Sequence, residues 1–152
     1  NEGGGASFLA SMMDFIGKGK VIAVDIEELE NRPIHDRITY LKGSSTGDEM
    51  VQKISKMIEG SPVVMVILDS DHNMPHVLRE MEIYSQLVTR GSYMIVEDSN
   101  VNGHPIMPNW GDGPFEAIEE FLKHNDSFEI DKECEKYYMT FNPNGYLKKK
   151  VD

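Results

Sequence analysis

The sequence predicts an α/β fold of the doubly wound, Rossmann-like type with a mostly parallel sheet. Short β-branched runs alternate with segments of helical length, which is the pattern of parallel strands joined by crossover helices. The runs are also almost continuously apolar, as strands covered on both faces should be. Because 152 residues is the length of one ordinary domain, we expect residues 1–152 to form a single domain.

Six strands and four helices follow from this pattern. The strands are predicted at 21–25, 38–41, 63–68, 92–96, 128–130 and 138–141, and the helices at 6–15, 48–58, 75–87 and 114–124. In the third helix, apolar residues recur at spacings of three and four, which lines one face for packing on the sheet. The segment 100–114, rich in Gly, Pro and Asn, is predicted to be an ordered loop beside the site, and 143–145 a turn.

The beginning of the chain departs from the expected order of elements. A glycine-rich segment leads directly into the first helix, whereas a doubly wound fold places its first strand before that segment. We therefore expect the first strand to be missing from this sequence, and the domain to be incomplete at its N-terminus.

Composition limits the classes of partner. The formal charge of −11 opposes binding to nucleic acid, and the basic cluster at 148–150 is interpreted as a solvated tail. The longest apolar run, 63–68, is far shorter than the roughly 20 residues of a membrane helix, so no membrane partner is expected. A lone cysteine, Cys134, forms no internal disulfide and predicts a cytoplasmic setting. The oligomeric state is left open, a homo-oligomer included.

A nucleoside cofactor is predicted from the first half of the chain. The glycines Gly3, Gly4 and Gly5 would let the backbone approach a ligand closely at the N-terminus of a helix, although a flexible chain end is the common alternative. Asp25 ends a strand about 20 residues later, where a carboxylate can accept hydrogen bonds from both ribose hydroxyls. Ser44 and Ser45 follow the next strand and are predicted to lie near the adenine. The spacing alone does not separate S-adenosylmethionine from NAD, but the incomplete glycine fingerprint favours S-adenosylmethionine.

Acidic residues follow two neighbouring strands of the second half. Asp69 and Asp71 come after the third predicted strand, and Glu97 and Asp98 come after the fourth. Because parallel strands end at one edge of a sheet, the four carboxylates should converge, and a hard cation such as Mg²⁺ would relieve their repulsion. The alternative is that these acids cap the following helices. We interpret Asp69 as a cofactor-binding residue.

Histidines lie in or next to the same loops. His72 and His104 are candidates for a general base, because imidazole titrates near working pH, although a loop histidine is more often structural. Trp110 and Tyr93 would stack on a substrate or, more commonly for such residues, fill the core.

The sequence motifs resemble those of a known family. The runs are Leu68-Asp-Ser-Asp-His72, His76-Val-Leu-Arg-Glu80, Gly91-Ser-Tyr-Met-Ile-Val-Glu-Asp98, Asn102-Gly-His-Pro105, Gly113-Pro-Phe-Glu-Ala-Ile-Glu-Glu-Phe121 and Thr140-Phe-Asn-Pro-Asn-Gly-Tyr146. Together they resemble the cephalosporin hydroxylase family and cover nearly the whole chain. Members of that family look like class I S-adenosylmethionine-dependent methyltransferases.

The resemblance implies a chemistry and a ligand set. It implies Mg²⁺ held by Asp71, Glu97 and Asp98, and methyl transfer from S-adenosylmethionine to a hydroxyl of a small molecule such as a sugar or a secondary metabolite. The acidic-x-Gly start of the family's cofactor motif does not precede Gly3. Two alternatives stay open: a non-haem iron oxygenase using His72, His104 and a carboxylate, and a non-catalytic binding module of the same fold.

Overall fold

The computed structural model describes residues 3–28 and 30–151. The chain divides into two compact units, Asn1–Met57 and Ile58–Asp152.

The first unit contains two helices and a two-stranded parallel sheet. Helix α1 spans Gly4–Ile16, strand β1 Val21–Asp25, strand β2 Ile38–Lys42 and helix α2 Asp48–Met57. In the register of the two strands, Asp25 is paired with Lys42, so both strands end at the same edge. The residues that follow β2 therefore leave the sheet next to Asp25.

The second unit contains a four-stranded mixed sheet and two helices. Its elements are β3 (Val66–Leu68), α3 (Met74–Tyr84), β4 (Tyr93–Val96), α4 (Pro114–His124), β5 (Phe128–Ile130), a 3-10 helix (Lys132–Glu135) and β6 (Tyr146–Lys149). The strand order is β3-β4-β6-β5. Strands β3 and β4 are parallel, whereas β6 runs antiparallel to both β4 and β5.

The core of the second unit lies between this sheet and helices α3 and α4. Met81, Met94, Ile118 and Leu147 are all 0% exposed, and they come from α3, β4, α4 and β6. Burying one such side chain stabilises a fold by about 1.5–3 kcal/mol. The apolar spacing in α3 is responsible for part of this core, since Val77, Met81 and Tyr84 are all buried. Packing of this core against the sheet therefore fixes the carboxyl ends of β3 and β4.

The last predicted strand, 138–141, is wrong. In the structure Tyr138 is 100% exposed, Met139 91% and Phe141 70%, and Tyr138 adopts a φ of 57°. Such a backbone leaves the extended region that a strand requires. The final strand is instead β6, which follows the predicted turn at 143–145.

The basic cluster at 148–150 is not a solvated tail, because Lys149 lies in β6 and is 8% exposed. Its Nζ donates hydrogen bonds to the main-chain oxygens of Ser85 (3.2 Å) and Val88 (2.8 Å). Oxygens just beyond the end of α3 thus satisfy an ammonium group, while the aliphatic stem contributes to packing. Counting charges along the sequence does not reveal such an arrangement.

The predicted fold class is confirmed. The chain is a mixed α/β structure with parallel strand pairs. Five of the six predicted strands and all four helices lie where the apolar pattern placed them, to within a few residues at their ends. Within residues 3–28 and 30–151, no helix combines the length and the apolar character that crossing a membrane demands.

Candidate metal and cofactor site

The pairing of β3 with β4 brings two acidic loops together. Leu68 is paired with Val96, so Asp69 and Glu97 leave the sheet side by side. The N–H of Glu97 donates to the oxygen of Leu68 at 2.9 Å, which extends the ladder to the first residue of the loop. The convergence of acids predicted at this edge follows from the parallel register.

Three side chains form the centre of this site. Ligand atoms of Asp69, His72 and Asp98 all lie within 4.8 Å of one another. His72 Nε2 is 3.5 Å from Asp69 Oδ1 and 3.5 Å from Asp98 Oδ2. We call Asp69, His72, Glu97 and Asp98 the strand-end cluster.

The imidazole of His72 is the least satisfied group of this cluster. Its Nε2 is buried and makes no well-directed hydrogen bond. The interaction with Asp69 raises the pKa of His72, partial burial opposes it, and the charges of Asp98, Asp69 and Asp71 raise the pKa further. A buried nitrogen among carboxylates attracts a positive charge, either a proton or a cation.

Glu97 experiences the same excess of negative charge. Burial raises the pKa of Glu97, and the charges of Asp69 and Asp98 raise it further. Its carboxylate therefore carries its negative charge at a cost in this environment. A divalent cation among these oxygens would remove that cost.

Asp98 is held by its backbone as well as by its place after β4. It adopts a φ of 52°, in the left-handed region, where Asp is tolerated better than most residues. Its N–H donates to Asn142 Oδ1 at 3.0 Å. Asn142 belongs to the turn that ends at Gly145, where an added Cβ would collide with the main-chain oxygen of Val96. Glycine is therefore required at position 145.

Asp71 lies outside the group formed by Asp69, His72 and Asp98. Its Oδ1 accepts hydrogen bonds from the N–H of Asn73 (3.2 Å) and from the Asn73 side-chain amide. Asn73 is the residue preceding α3, so Asp71 closes the turn that starts this helix. Helix capping, the alternative weighed for Asp71, is not what these hydrogen bonds show, because the N-cap residue is Asn73 and Asp71 accepts from Asn73 and not from the first turn of α3. The role of Asp71 as a metal ligand stays a prediction.

A buried carboxylate supports the Asp69–His72 loop from α3. Glu80 is 2% exposed, and its Oε2 accepts a hydrogen bond of 2.7 Å from the hydroxyl of Ser70. Its Oε1 is 3.4 Å from His76 Nε2. No role was predicted for Glu80 from the sequence. Its position on the same helix face as Val77 and Met81 is the signal, because a charge on an apolar face needs a buried partner.

His104 belongs to a different network from His72. Its Nε2 is 3.0 Å from Glu116 Oε1, and its ring stacks on Phe115 at 3.7 Å between centroids. Among the described residues, no cluster of metal-binding side chains contains both histidines. The predicted role of His104 as a base stays untested, and the facial triad considered for an iron oxygenase gains no support from this arrangement.

Glu116 organises the loop that carries His104. Besides His104, it accepts hydrogen bonds from Asn102 Nδ2 (2.9 Å) and from the N–H of Gly113 (2.7 Å). Burial alone would raise the pKa of Glu116, but the hydrogen bonds from Gly113, His104 and Asn102 outweigh burial and lower it to about 2. The 100–113 loop is thus tied to the first turn of α4.

Trp110 connects this loop to the strand-end cluster. Its indole N–H donates to the main-chain oxygen of His72 at 3.1 Å, yet 48% of the residue is exposed. Core filling, the role expected for Trp110, is therefore wrong. Tyr93 is part-buried and donates its hydroxyl hydrogen to Asp131 at 2.6 Å.

The predicted donor-binding residues lie in the first unit. Gly3 precedes α1 with a φ of 78°, and Gly4 and Gly5 form its first turn. Asp25 Oδ2 pairs with Arg32 at 2.7 Å, and its Oδ1 accepts from the N–H of Glu27 at 3.0 Å.

Ser44 and Ser45 follow β2 at the edge where Asp25 ends β1. Ser44 Oγ is 3.1 Å from Thr46 Oγ1 within this turn. Asp25 and the two serines therefore share one edge of the β1-β2 sheet, as the sequence predicted. Their role towards a cofactor stays a prediction.

Open α/β sheets bind their ligands outside the carboxyl ends of the strands, which is where this chain places its acids. The chain matches the family model described as "Rhamnosyl O-methyltransferase/CmcI" over residues 1–150. It belongs to this family. The resemblance seen in the motifs is thereby confirmed at the level of a methyltransferase-like family, and the expected enzyme class, O-methyltransferase, is that of the family.

Two relatives are longer than this chain. The rhamnosyl O-methyltransferase of Mycobacterium leprae (strain TN) is 40% identical over 154 residues, which cover 97% of this chain and 67% of that protein. The rhamnosyl O-methyltransferase of Mycobacterium tuberculosis (strain ATCC 25618 / H37Rv) is 39% identical over 152 residues, covering 95% and 62%. The chain therefore spans about two thirds of the length of these relatives.

Solved structures support the fold. MycE methyltransferase from the mycinamycin biosynthetic pathway, in complex with Mg, SAH and mycinamycin VI, has a TM-score of 0.54 at 18% identity, covering 74% of this chain and 31% of that one. A second MycE structure with Mg and SAH has a TM-score of 0.54 at 15% identity, covering 91% and 39%. At such identities the similarity concerns the fold.

Proposed function

We propose that this protein transfers a methyl group from S-adenosylmethionine to a hydroxyl of a sugar-bearing small molecule, with Mg²⁺ bound at the strand-end cluster. The observation that carries the proposal is the convergence of Asp69, Glu97 and Asp98 around His72 in a chain that belongs to an O-methyltransferase family. A cytoplasmic setting is part of the proposal.

The residues of the cluster fit Mg²⁺ by their chemistry. Mg²⁺ prefers carboxylate oxygens and keeps open positions for water or substrate. In this proposal Asp69, which the sequence predicted to bind the cofactor, instead holds the cation together with Glu97 and Asp98, because its ligand atom lies within 4.8 Å of those of His72 and Asp98. Asp71, predicted as a ligand from the motif, is tested beside them. When bound, Mg²⁺ would supply a Lewis acid that lowers the pKa of an acceptor hydroxyl.

His72 is proposed to take the proton of that hydroxyl. Its Nε2 is buried beside Asp69 and Asp98, which stabilise the imidazolium that forms. The acceptor oxygen then forms a bond to the methyl carbon while the bond from that carbon to sulfur breaks. The electron pair of the broken bond stays on sulfur, which becomes a neutral thioether.

The donor is proposed to bind at the carboxyl edge of β1 and β2. Asp25 would accept hydrogen bonds from the ribose hydroxyls, Gly3, Gly4 and Gly5 would lie against the amino-acid end, and Ser44 and Ser45 near the adenine. Because Arg32 pairs with one oxygen of Asp25, a ribose would use the other oxygen or displace the arginine.

The proposed substrate class follows from the proteins that this chain is similar to. The two mycobacterial relatives are rhamnosyl O-methyltransferases, and MycE has been solved with Mg, SAH and mycinamycin VI. A hydroxyl of a deoxysugar unit is therefore the proposed acceptor. The net charge of −11 also favours a neutral acceptor over an anionic one.

Methyl transfer from labelled S-adenosylmethionine to methyl α-L-rhamnopyranoside, with Mg²⁺ or with a chelator, tests this function. The proposal expects transfer that is lost with the chelator and restored by Mg²⁺. The Asp98→Asn variant should weaken Mg²⁺ binding at least about 10-fold, a loss already typical of removing an outer partner of a metal site. Asp126→Asn, an exposed aspartate of the same unit, serves as the matched control.

Two other results would replace this function. Iron-dependent uptake of oxygen without methyl transfer would identify an oxygenase. A protein that binds neither S-adenosylmethionine nor Mg²⁺ in calorimetric titrations would be a non-catalytic module.

A further inference from the structure

Trp110 is the only tryptophan of the sequence, and it is both hydrogen-bonded and partly exposed. Its indole N–H donates a hydrogen bond to the main-chain oxygen of His72, which fixes the ring beside the strand-end cluster. Nevertheless 48% of the residue is exposed. A hydrogen bond therefore fixes one edge of this large apolar ring, while much of its surface stays accessible.

The loop around Trp110 is fixed at several points. The N–H of Met74 donates to the oxygen of Asp112 at 3.0 Å, which joins the loop to the start of α3. Asn102 Oδ1 accepts from the N–H of Gly111 at 3.2 Å, and Asn102 Nδ2 donates to Glu116. An exposed aromatic ring on an anchored loop loses little conformational entropy when a ligand packs against it.

Two further apolar side chains of the loop are exposed. Ile106 is 41% exposed and Met107 54%, and the N–H of Trp110 donates to the oxygen of Met107 at 2.9 Å. The loop thus presents apolar surface next to a group of carboxylates. A ligand that suits both carries hydroxyls towards the acids and has an apolar face for the loop.

A pyranose ring meets these requirements. Its hydroxyls lie around the rim, while its axial C–H groups form an apolar face that packs on the negative face of an aromatic ring.

We propose that the exposed face of Trp110 is the surface on which the sugar ring of the methyl acceptor stacks, which directs a sugar hydroxyl towards the strand-end cluster. This inference rests on the proposed function and adds the residue that recognises the acceptor. Trp110 is a binding residue in this account, while its N–H to His72 fixes the orientation of the ring.

Fluorescence of the single tryptophan provides the first test, with methyl α-L-rhamnopyranoside as the probe. Stacking should change the emission of Trp110 in a saturable way. The inference is overturned if the rhamnoside leaves the emission unchanged, or if catechol, a planar diol, changes it where the rhamnoside does not.

Two variants separate stacking from the hydrogen bond to His72. Trp110→Phe keeps an aromatic face but loses the N–H, whereas Trp110→Leu loses the aromatic face as well. Calorimetry should show rhamnoside binding about 2- to 13-fold weaker in Trp110→Leu, the range that corresponds to 0.5–1.5 kcal/mol for an aromatic contact. Trp110→Phe should stay within about 2-fold of wild type by the same reasoning. Equal weakening in both variants would assign the effect to the lost hydrogen bond and overturn stacking.

Mg²⁺ binding measured on the same samples tells the two hypotheses apart. A wild-type protein that does not bind Mg²⁺ contradicts the proposed function. If the protein binds Mg²⁺ but its tryptophan emission does not change when the rhamnoside is added, only the inference about Trp110 is contradicted. In the methyl-transfer assay, Trp110→Leu should raise KM for the rhamnoside more than it lowers kcat, since the contact is made before the transition state.

Discussion

Replacement of Glu116 by Gln tests how the loop beside the site is held. Glu116 accepts hydrogen bonds from Gly113, Asn102 and His104, and its side chain is 20% exposed. Gln keeps one acceptor oxygen but places an amide NH₂, a donor, among groups that donate. We therefore expect the variant to be markedly less stable than wild type.

The size of the effect follows from the pKa of Glu116. Its folded value of about 2 lies below the ordinary 4.5. At about 1.4 kcal/mol for each pH unit, the difference corresponds to about 3 kcal/mol of stability when the carboxylate is ionised in both states. Because the folded pKa is the lower one, this contribution is fully present above the unfolded pKa and is lost as the pH falls through the folded pKa. It should decrease to roughly 1.5 kcal/mol at pH 3.

Urea denaturation of wild type and Glu116→Gln at pH 7 and at pH 3 measures both values, and the exposed Glu119 on the same helix provides the control Glu119→Gln. A difference that is below about 1 kcal/mol at pH 7, or that grows towards pH 3, would refute the claim that hydrogen bonds to an ionised Glu116 hold this loop.

Two further substitutions test buried charges of the second unit. Glu80→Gln should lower the free energy of unfolding by about 1–3 kcal/mol and speed hydrogen exchange of the amides in the 69–72 loop, because the hydroxyl of Ser70 loses its carboxylate acceptor. The control Glu82→Gln, at an exposed position of the same helix, should change neither quantity. Exchange rates equal to those of wild type in Glu80→Gln would show that Glu80 does not support the loop. Lys149→Met should cost about 1–3 kcal/mol in urea denaturation, because two main-chain oxygens lose their donor. The control Lys150→Met, at an exposed position, should leave the free energy of unfolding nearly unchanged. An unchanged free energy of unfolding in Lys149→Met would contradict the role given to the ammonium group of Lys149.

Most of the fold could be predicted from local sequence patterns. Strand β4 and helix α4 are each dominated by one apolar period, and the structure places them where that period indicates. The last strand could not be found in this way. Residues 138–141 are more apolar than β6, but β6 pairs with strands on both sides, and its Lys149 finds buried acceptors from a segment more than 60 positions earlier in the chain.

The candidate site was predictable to the level of the two loops, not of each atom. The parallel pairing of β3 and β4 requires that the acids after them meet, so the position of Asp69, Glu97 and Asp98 follows from the strand pattern. Which aspartate of the first loop joins the cluster depends on the turn before α3, where Asn73 engages Asp71. Side-chain hydrogen bonds of that kind have no period in the sequence.

The proposed chemistry depends on a divalent cation bound among the acids at the ends of β3 and β4. The anomalous difference map of a crystal soaked in Mn²⁺ would locate such a cation. We expect one strong peak bounded by oxygens of Asp69, Glu97 and Asp98, which disappears in Asp98→Asn and persists in Asp71→Asn. The absence of a peak there, or a peak coordinated elsewhere while the cluster stays vacant, would contradict the proposed chemistry.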